Sequence, residues 1–298
     1  MRDQPSPEMQ AMAELLRANG IFNGGTLDVA ALRSGMNDGA LPLPEGATRS
    51  DFERDGLKLT HIGSADARSD RGILYFHGGG YVLGSLDSHA ELMARVASAC
   101  RAPVLGLDYR LAPEHPYPAA VDDAVASYER LLDQGIAPEA IVLAGDSAGG
   151  GLVLACLLAL KQAGKPLPAG AILFSPWTDL TASGASTDNR AAVDPMVSAA
   201  LLAPMAAHYA GATDAGTPLI SPLFGELNDL PPLLIQVGDH EILLDDSTRL
   251  AQRAEAADVD VTLEIYPGAF HVFQSMPQVP ESAEALATAA AFFDRVMP

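Results

Sequence analysis

The stretch Leu143-Ala144-Gly145-Asp146-Ser147-Ala148-Gly149-Gly150 constrains this chain more than any other. A short apolar run, Ile141 to Ala144, leads into it. A longer one, Gly151 to Leu160, leads out. The first has the length of a buried strand and the second the length of a buried helix. Between them Ser147 stands in a G-x-S-x-G pattern, the sequence form of a nucleophile elbow: strand, sharp turn, helix. The turn must hold the hydroxyl clear of the sheet. Glycines on both sides remove the Cβ atoms that would clash there. The helix that follows aims its N-terminal N–H groups at the serine, which favours negative charge developing beside it. A glycine-rich strand-to-helix turn occurs in any α/β protein, so the rest of the chain must decide.

From residue 72 to 174 the chain alternates strand and helix. Gly72 to Phe76, Pro103 to Leu107, Ile141 to Ala144 and Ala171 to Phe174 are continuous apolar runs, as expected of strands buried on both faces. Helices are expected over Ser88–Ala99, Ala119–Leu132 and 148–163. This is the pattern of a mostly parallel sheet flanked by helices, an α/β fold. Phe52, Leu57, Leu59 and Ile62 suggest edge strands before it. Alternation resumes with strand Leu233–Val237, helix Asp246–Ala256, strand Val261–Tyr266 and a terminal helix from about Glu281 to Val296.

Two segments break the rhythm. Residues 1–45 read as amphipathic helix and loop, with helices expected over Pro7–Leu16 and Leu27–Met36. They either pack outside the domain or cover its active face. Residues from about 180 to 225 read as a helical insertion, with Ala182–Asn189 a loop and a helix opening at Asp194-Pro195, aspartate at the N-cap and proline at the first position. The expected division is a helical cap from 1–45 and 180–225 over an α/β domain of 46–179 and 226–298.

At 298 residues the chain can build one large α/β domain. A formal charge of −20 with only three lysines, Lys58, Lys161 and Lys165, excludes a nucleic-acid-binding role, which needs clustered cations. The longest apolar run, Leu152 to Leu160, is too short to span a bilayer, so no membrane insertion is expected. No signal peptide is read at the start. Cys100 and Cys156 lie in apolar helical contexts and read as buried free thiols, which fits a cytoplasmic protein.

A serine hydroxyl needs a base, and the base an orienting acid. Of seven histidines, His271 follows the last strand and comes after Ser147. That matches the chain order serine, acid, histidine and the carboxyl-end loops where such sheets place working residues. The acid is expected in the loop after the preceding strand, where spacing leaves Asp239, Glu241, Asp245 and Asp246 open and His240 a lesser rival base. His77-Gly78-Gly79-Gly80 follows a buried strand and has the form of an oxyanion loop. The expected donors are the N–H groups of Gly78, Gly79 and Ala148, with His77 bracing the loop. Asp146 and Asp194 read as an elbow brace and a helix cap.

His77-Gly78-Gly79-Gly80, Tyr109-Arg110-Leu111-Ala112-Pro113-Glu114, Gly145-Asp146-Ser147-Ala148-Gly149-Gly150 and Asp194-Pro195-Met196, in this order, resemble the hormone-sensitive-lipase-like family of bacterial esterases. The likeness runs from about residue 70 to the end. It implies an α/β-hydrolase fold and a serine carboxylesterase acting on small esters with short to medium acyl chains, without metal or cofactor. It also implies that the N-terminal segment joins the cap, and that chains pair through the edge of the last strand, Val261 to Tyr266. The family's acid lies in an Asp-Pro-Leu-x-Asp run. Glu241-Ile242-Leu243-Leu244-Asp245 occupies that register here, so the resemblance implies Glu241 as the acid, with Asp239 in reserve.

Overall fold

The computed structural model describes residues 3–19, 27–63, 67–68 and 70–297. Eight strands form one sheet: β1 (Thr48–Arg54), β2 (Leu57–Gly63), β3 (Gly72–Phe76), β4 (Val104–Asp108), β5 (Ile141–Asp146), β6 (Gly170–Phe174), β7 (Leu233–Gly238) and β8 (Val261–Tyr266). Their order is β1-β2-β4-β3-β5-β6-β7-β8. β1 pairs antiparallel with β2 and β2 antiparallel with β4, while every later pair is parallel. β1 and β2 form a tight hairpin, because Arg54 pairs with Leu57 and the two residues between them, Asp55 and Gly56, both take positive φ. That Asp-Gly turn has the twist a two-residue hairpin needs.

The helices are α1 (Pro7–Asn19), α2 (Val29–Asp38), α3 (Leu86–Cys100), α4 (Ala119–Asp133), α5 (Ala148–Gln162), α6 (Ser186–Asn189), α7 (Ala199–Ala210), α8 (Leu244–Glu255) and α9 (Pro280–Val296). The sheet separates two cores, and the two-residue period of the strands sorts side chains between them. Leu74, Phe76, Leu143 and Leu173 join a core with Tyr128 of α4, Leu152 of α5 and Leu250 of α8. Ile73, Tyr75, Val142 and Ile172 join the opposite core with Met93 of α3 and Phe293 of α9. β5 is buried along its whole length and α5 is apolar on all sides. The centre of the fold therefore carries no polar face that would let it turn or slip. Its carboxyl end, the elbow, is fixed by what surrounds it.

The two helices before the sheet take different places. α1 packs Met9 and Ala13 on Phe270 and Phe273, beside the loop after β8, and the buried Glu281 accepts hydrogen bonds from the N–H and hydroxyl of Ser6 (2.7 and 2.9 Å). α2 lies on the glycine-rich side of the sheet's carboxyl end. Its Arg33 donates to the carbonyls of Val82 and Ala112 and pairs with both oxygens of Glu114.

Two expectations are corrected in the insertion. The segment read as loop contains the single-turn α6. The main helix starts at Ala199 rather than after Asp194, because Ser198 is the N-cap and accepts from the Leu201 N–H. Asp194 instead closes a tight turn, accepting from Met196 and Val197 through one oxygen and from the Ile242 N–H through the other (each 2.8 Å). It ties the insertion to the loop after β7. Among the described residues no helix is long and apolar enough to cross a membrane.

Candidate active site

Ser147 sits at the sharp tip between β5 and α5 with φ 53° and ψ −121°. A non-glycine residue held there costs about 1–3 kcal/mol, which the surrounding fold must supply. It does so through backbone bonds: the Ser147 N–H donates to the Phe174 carbonyl (2.8 Å), and the Ser147 carbonyl accepts from Trp177 (2.9 Å). Gly149 must be glycine because a Cβ there would run into the Phe76 carbonyl, so α5 could not lie against the end of β3.

His271 reaches the serine from the loop after β8. Its Nε2 is 2.9 Å from Ser147 Oγ and its Nδ1 is 2.8 Å from Glu241 Oε2. Glu241 has no exposed surface. Its second oxygen accepts from the Gly238 N–H (2.6 Å) and from Ser175 Oγ (2.8 Å). Ser175 in turn accepts from the Val272 N–H at 3.1 Å, so one hydroxyl fixes both the acid and the residue after the histidine. Burial by itself would lower the His271 pKa. The hydrogen bond and charge of Glu241 outweigh it, and the pKa is raised above the ordinary 6.5.

The other carboxylates left open by spacing do not meet His271. Asp239 Oδ1 accepts from the Gly268 N–H (2.6 Å) and so closes the turn before the histidine. Asp245 accepts from the Ser186 N–H (2.9 Å). Asp246 is buried and accepts from the N–H groups of Thr178 and Asp179 (2.7 and 2.8 Å). Burial pushes its pKa up to about 7. His240 is half-exposed beside Asp239.

The glycine loop departs from expectation at one position. Gly78 is turned away from the serine: its N–H donates to Asp146 Oδ1 (3.2 Å), and a Cβ on it would collide with the same carboxylate. It is therefore not a donor to a reacting carbonyl. Gly79 and Gly80 instead line a cavity of about 150 Å³ with Ser147 and His271. Both take positive φ, and neither N–H meets an acceptor among the described residues. Ala148 opens α5, where a helix's first N–H groups lack an internal partner. Met36 of α2 and Leu201, Leu202 and Met205 of the insertion close the cavity. His77 is buried, stacks on Tyr109 with ring centroids 4.4 Å apart, and has Nδ1 at 2.8 Å from the Gly78 carbonyl. Burial lowers its pKa to about 3, so it is a neutral support of the loop. Among the described residues no group of three or more histidine, cysteine, aspartate or glutamate side chains could hold a metal.

A doubly wound sheet with a strained serine at the end of its central strand, and a histidine and a carboxylate after the last two strands, has the architecture of an α/β hydrolase. Comparison with known proteins agrees. A family model described as alpha/beta hydrolase fold matches residues 73–275. The chain is 44% identical over 295 residues, 96% of each chain, to an acetyl-hydrolase of Streptomyces hygroscopicus. It superposes with TM-score 0.94 on an esterase from the bacterial hormone-sensitive lipase family, at 40% identity and covering all of both chains. It superposes with TM-score 0.95 on EstE5 soaked with p-nitrophenyl butyrate, at 40% identity over 98% of this chain and 99% of that one. The chain belongs to the α/β-hydrolase family, in its bacterial hormone-sensitive-lipase branch, and is a carboxylic ester hydrolase.

Proposed function

We propose that Ser147 is the nucleophile, His271 the base and Glu241 the orienting acid of a carboxylesterase for short- to medium-chain esters. The observation that carries this is the unbroken chain from Ser147 Oγ through both nitrogens of His271 to the buried Glu241 (2.9 and 2.8 Å). Ser147 Oγ attacks the ester carbonyl as its proton passes to His271 Nε2. The carbonyl oxygen becomes an oxyanion and takes hydrogen bonds from the N–H groups of Gly79, Gly80 and Ala148. Removing one such donor typically costs ~3–4 kcal/mol of barrier. Collapse breaks the bond to the alkoxy oxygen, which leaves as alcohol with the proton from His271. A water, deprotonated by the same nitrogen, then releases the acid. Glu241 stays ionised and stabilises the imidazolium formed at each step.

The small apolar cavity supports short acyl groups over long chains. Elements from both irregular segments, Met36 of α2 and Leu201 to Met205 of α7, support reading them as a cap over the α/β domain. α1 braces the histidine loop instead. The test is hydrolysis of p-nitrophenyl butyrate. The folded protein turns it over, and Ser147→Ala, with unchanged folding, loses at least about 10³-fold in kcat. Turnover retained by Ser147→Ala would move the nucleophile elsewhere.

The sheet ends at β8, whose residues Val261 to Ile265 are only partly covered. An open strand edge pairs readily with another, and this supports a homodimer formed edge to edge through β8. Sedimentation at twice the 31.0 kDa chain mass is expected, and a lysine placed mid-strand at Leu263 abolishes it. A monomer at micromolar concentration would exclude it. The buried, unpaired Cys100 and Cys156 support a reducing, cytoplasmic setting, which fractionation of the native host would test.

A further inference from the structure

A second buried charge pair lies beside the nucleophile, and the triad does not use it. Asp146, the residue before Ser147, is 2% exposed. Its Oδ1 accepts from the Tyr75 hydroxyl (2.7 Å) and from the Gly78 N–H (3.2 Å). Its Oδ2 lies 3.4 Å from Nε2 of His89 on α3. His89 lines the same cavity as Ser147 and His271.

Both nitrogens of His89 face acceptors. Nε2 faces the Asp146 carboxylate. Nδ1 lies 3.3 Å from the Ser85 carbonyl and 2.9 Å from Ser88 Oγ. The Ser88 hydroxyl accepts from the Ser85 N–H (3.0 Å) and is also within reach of the Ser85 carbonyl (3.1 Å). A buried carboxylate facing Nε2 and the Ser85 carbonyl near Nδ1 both favour a proton on the nitrogen they face, so the site is built to accommodate the imidazolium. Burial opposes that charge, but the charge and hydrogen bond of Asp146 outweigh it and the His89 pKa is raised. The other groups facing it are Tyr75 of β3 and His77, whose ring centroid is 5.3 Å away. His77 is neutral, and charge from His89 contributes to keeping it so.

The consequence is electrostatic. Asp146 orders the glycine loop through Gly78, one residue before the oxyanion donors. An uncompensated carboxylate there would oppose the negative charge that the loop must stabilise in the transition state. We propose that His89 is a positioning residue for ester hydrolysis: its cation neutralises Asp146 across the cavity wall, so that Asp146 can hold the oxyanion loop without repelling the oxyanion. This rests on the reading that Gly79, Gly80 and Ala148 receive the oxyanion beside Ser147.

The pair makes a prediction that a merely structural histidine would not. His89→Asn leaves the carboxylate unbalanced and lowers kcat for p-nitrophenyl butyrate by at least about tenfold, with KM within about threefold. His89→Asn with Asp146→Asn removes the opposing charge while keeping an acceptor for Tyr75 and Gly78, and it recovers most of the lost kcat. A kcat loss below threefold in the single variant, or no recovery in the double variant, overturns the proposal. Should His89→Asn not fold, the pH profile decides. Wild-type kcat falls at alkaline pH as His89 loses its proton, and Asp146→Asn abolishes that fall; a fall unchanged in Asp146→Asn overturns the proposal. Ser147→Ala run alongside separates the two ideas. Its residual turnover tests the triad, and the His89 series is read only against a wild type that depends on Ser147.

Discussion

The proposed acid of the triad is distinguished from its neighbours by distances of a few ångströms within one loop. Sequence spacing leaves four carboxylates between 239 and 246, and the family likeness points to Glu241. The geometry brings Glu241 to His271 and gives each of the other three a backbone N–H to accept. Glu241→Gln should cost on the order of 10²–10⁴-fold in kcat, because an amide no longer fixes the imidazole or balances its charge. Asp239→Asn should change kcat by no more than about threefold, as Asn keeps an acceptor for Gly268. Steady-state kinetics of the two variants check this, and the reverse ranking would move the acid. The pH dependence follows from His271. It must be neutral to take the serine proton, and its pKa is raised, so activity is absent at low pH and rises with pH through a midpoint above 6.5. A kcat/KM midpoint at or below 6.5 would contradict the ion pair with Glu241.

Some residues at this scale were not legible in the sequence, for physical reasons. Ser175 carries no motif; only its place at the carboxyl end of a buried parallel strand hints at a working position. Gly78 looked like its two neighbours, and nothing in a run of three glycines says which N–H faces the serine. That depends on where the Asp146 carboxylate comes to rest. His89 lies in an ordinary amphipathic helix, so its pairing with Asp146 appears only when α3 is packed on the sheet.

At the scale of elements, the strands and helices of the parallel sheet were readable almost to the residue, because burial on both faces leaves an unbroken apolar run. β3 has the expected limits; β8 has them too, although as an edge strand it is only partly covered and carries Thr262 and Glu264. The hairpin of β1 and β2 has its sequence signal in Asp55-Gly56, the dipeptide that suits a two-residue turn. The start of α7 was misplaced because aspartate followed by proline is a sound N-cap pattern in isolation. Here Asp194 has a competing acceptor role toward Ile242, and Ser198 caps the helix instead. The sequence reading puts α1 and α2 together in a cap, but an amphipathic stripe shows that a face is buried and not against what. α1 buries its stripe beneath the histidine loop, and α2 fastens to the glycine loop through Arg33.

Across the whole molecule, the serine, the glycine loop, the acid and the histidine come from four separate strand ends. A parallel sheet brings those ends to one side, so chain order predicts the meeting although the residues span positions 78 to 271. The two cores hold the sheet rigid while the insertion and α2 shape the cavity above it. The claim that unites these parts is that Ser147 is the single activated nucleophile of the chain. It is tested most directly by treating the protein with an organophosphonate such as a fluorophosphonate probe, then mapping the adduct by peptide mass spectrometry. The account predicts one adduct per chain, on Ser147, appearing in step with the loss of esterase activity and absent from His271→Ala. An adduct on another residue, or full activity remaining after Ser147 is modified, would contradict it.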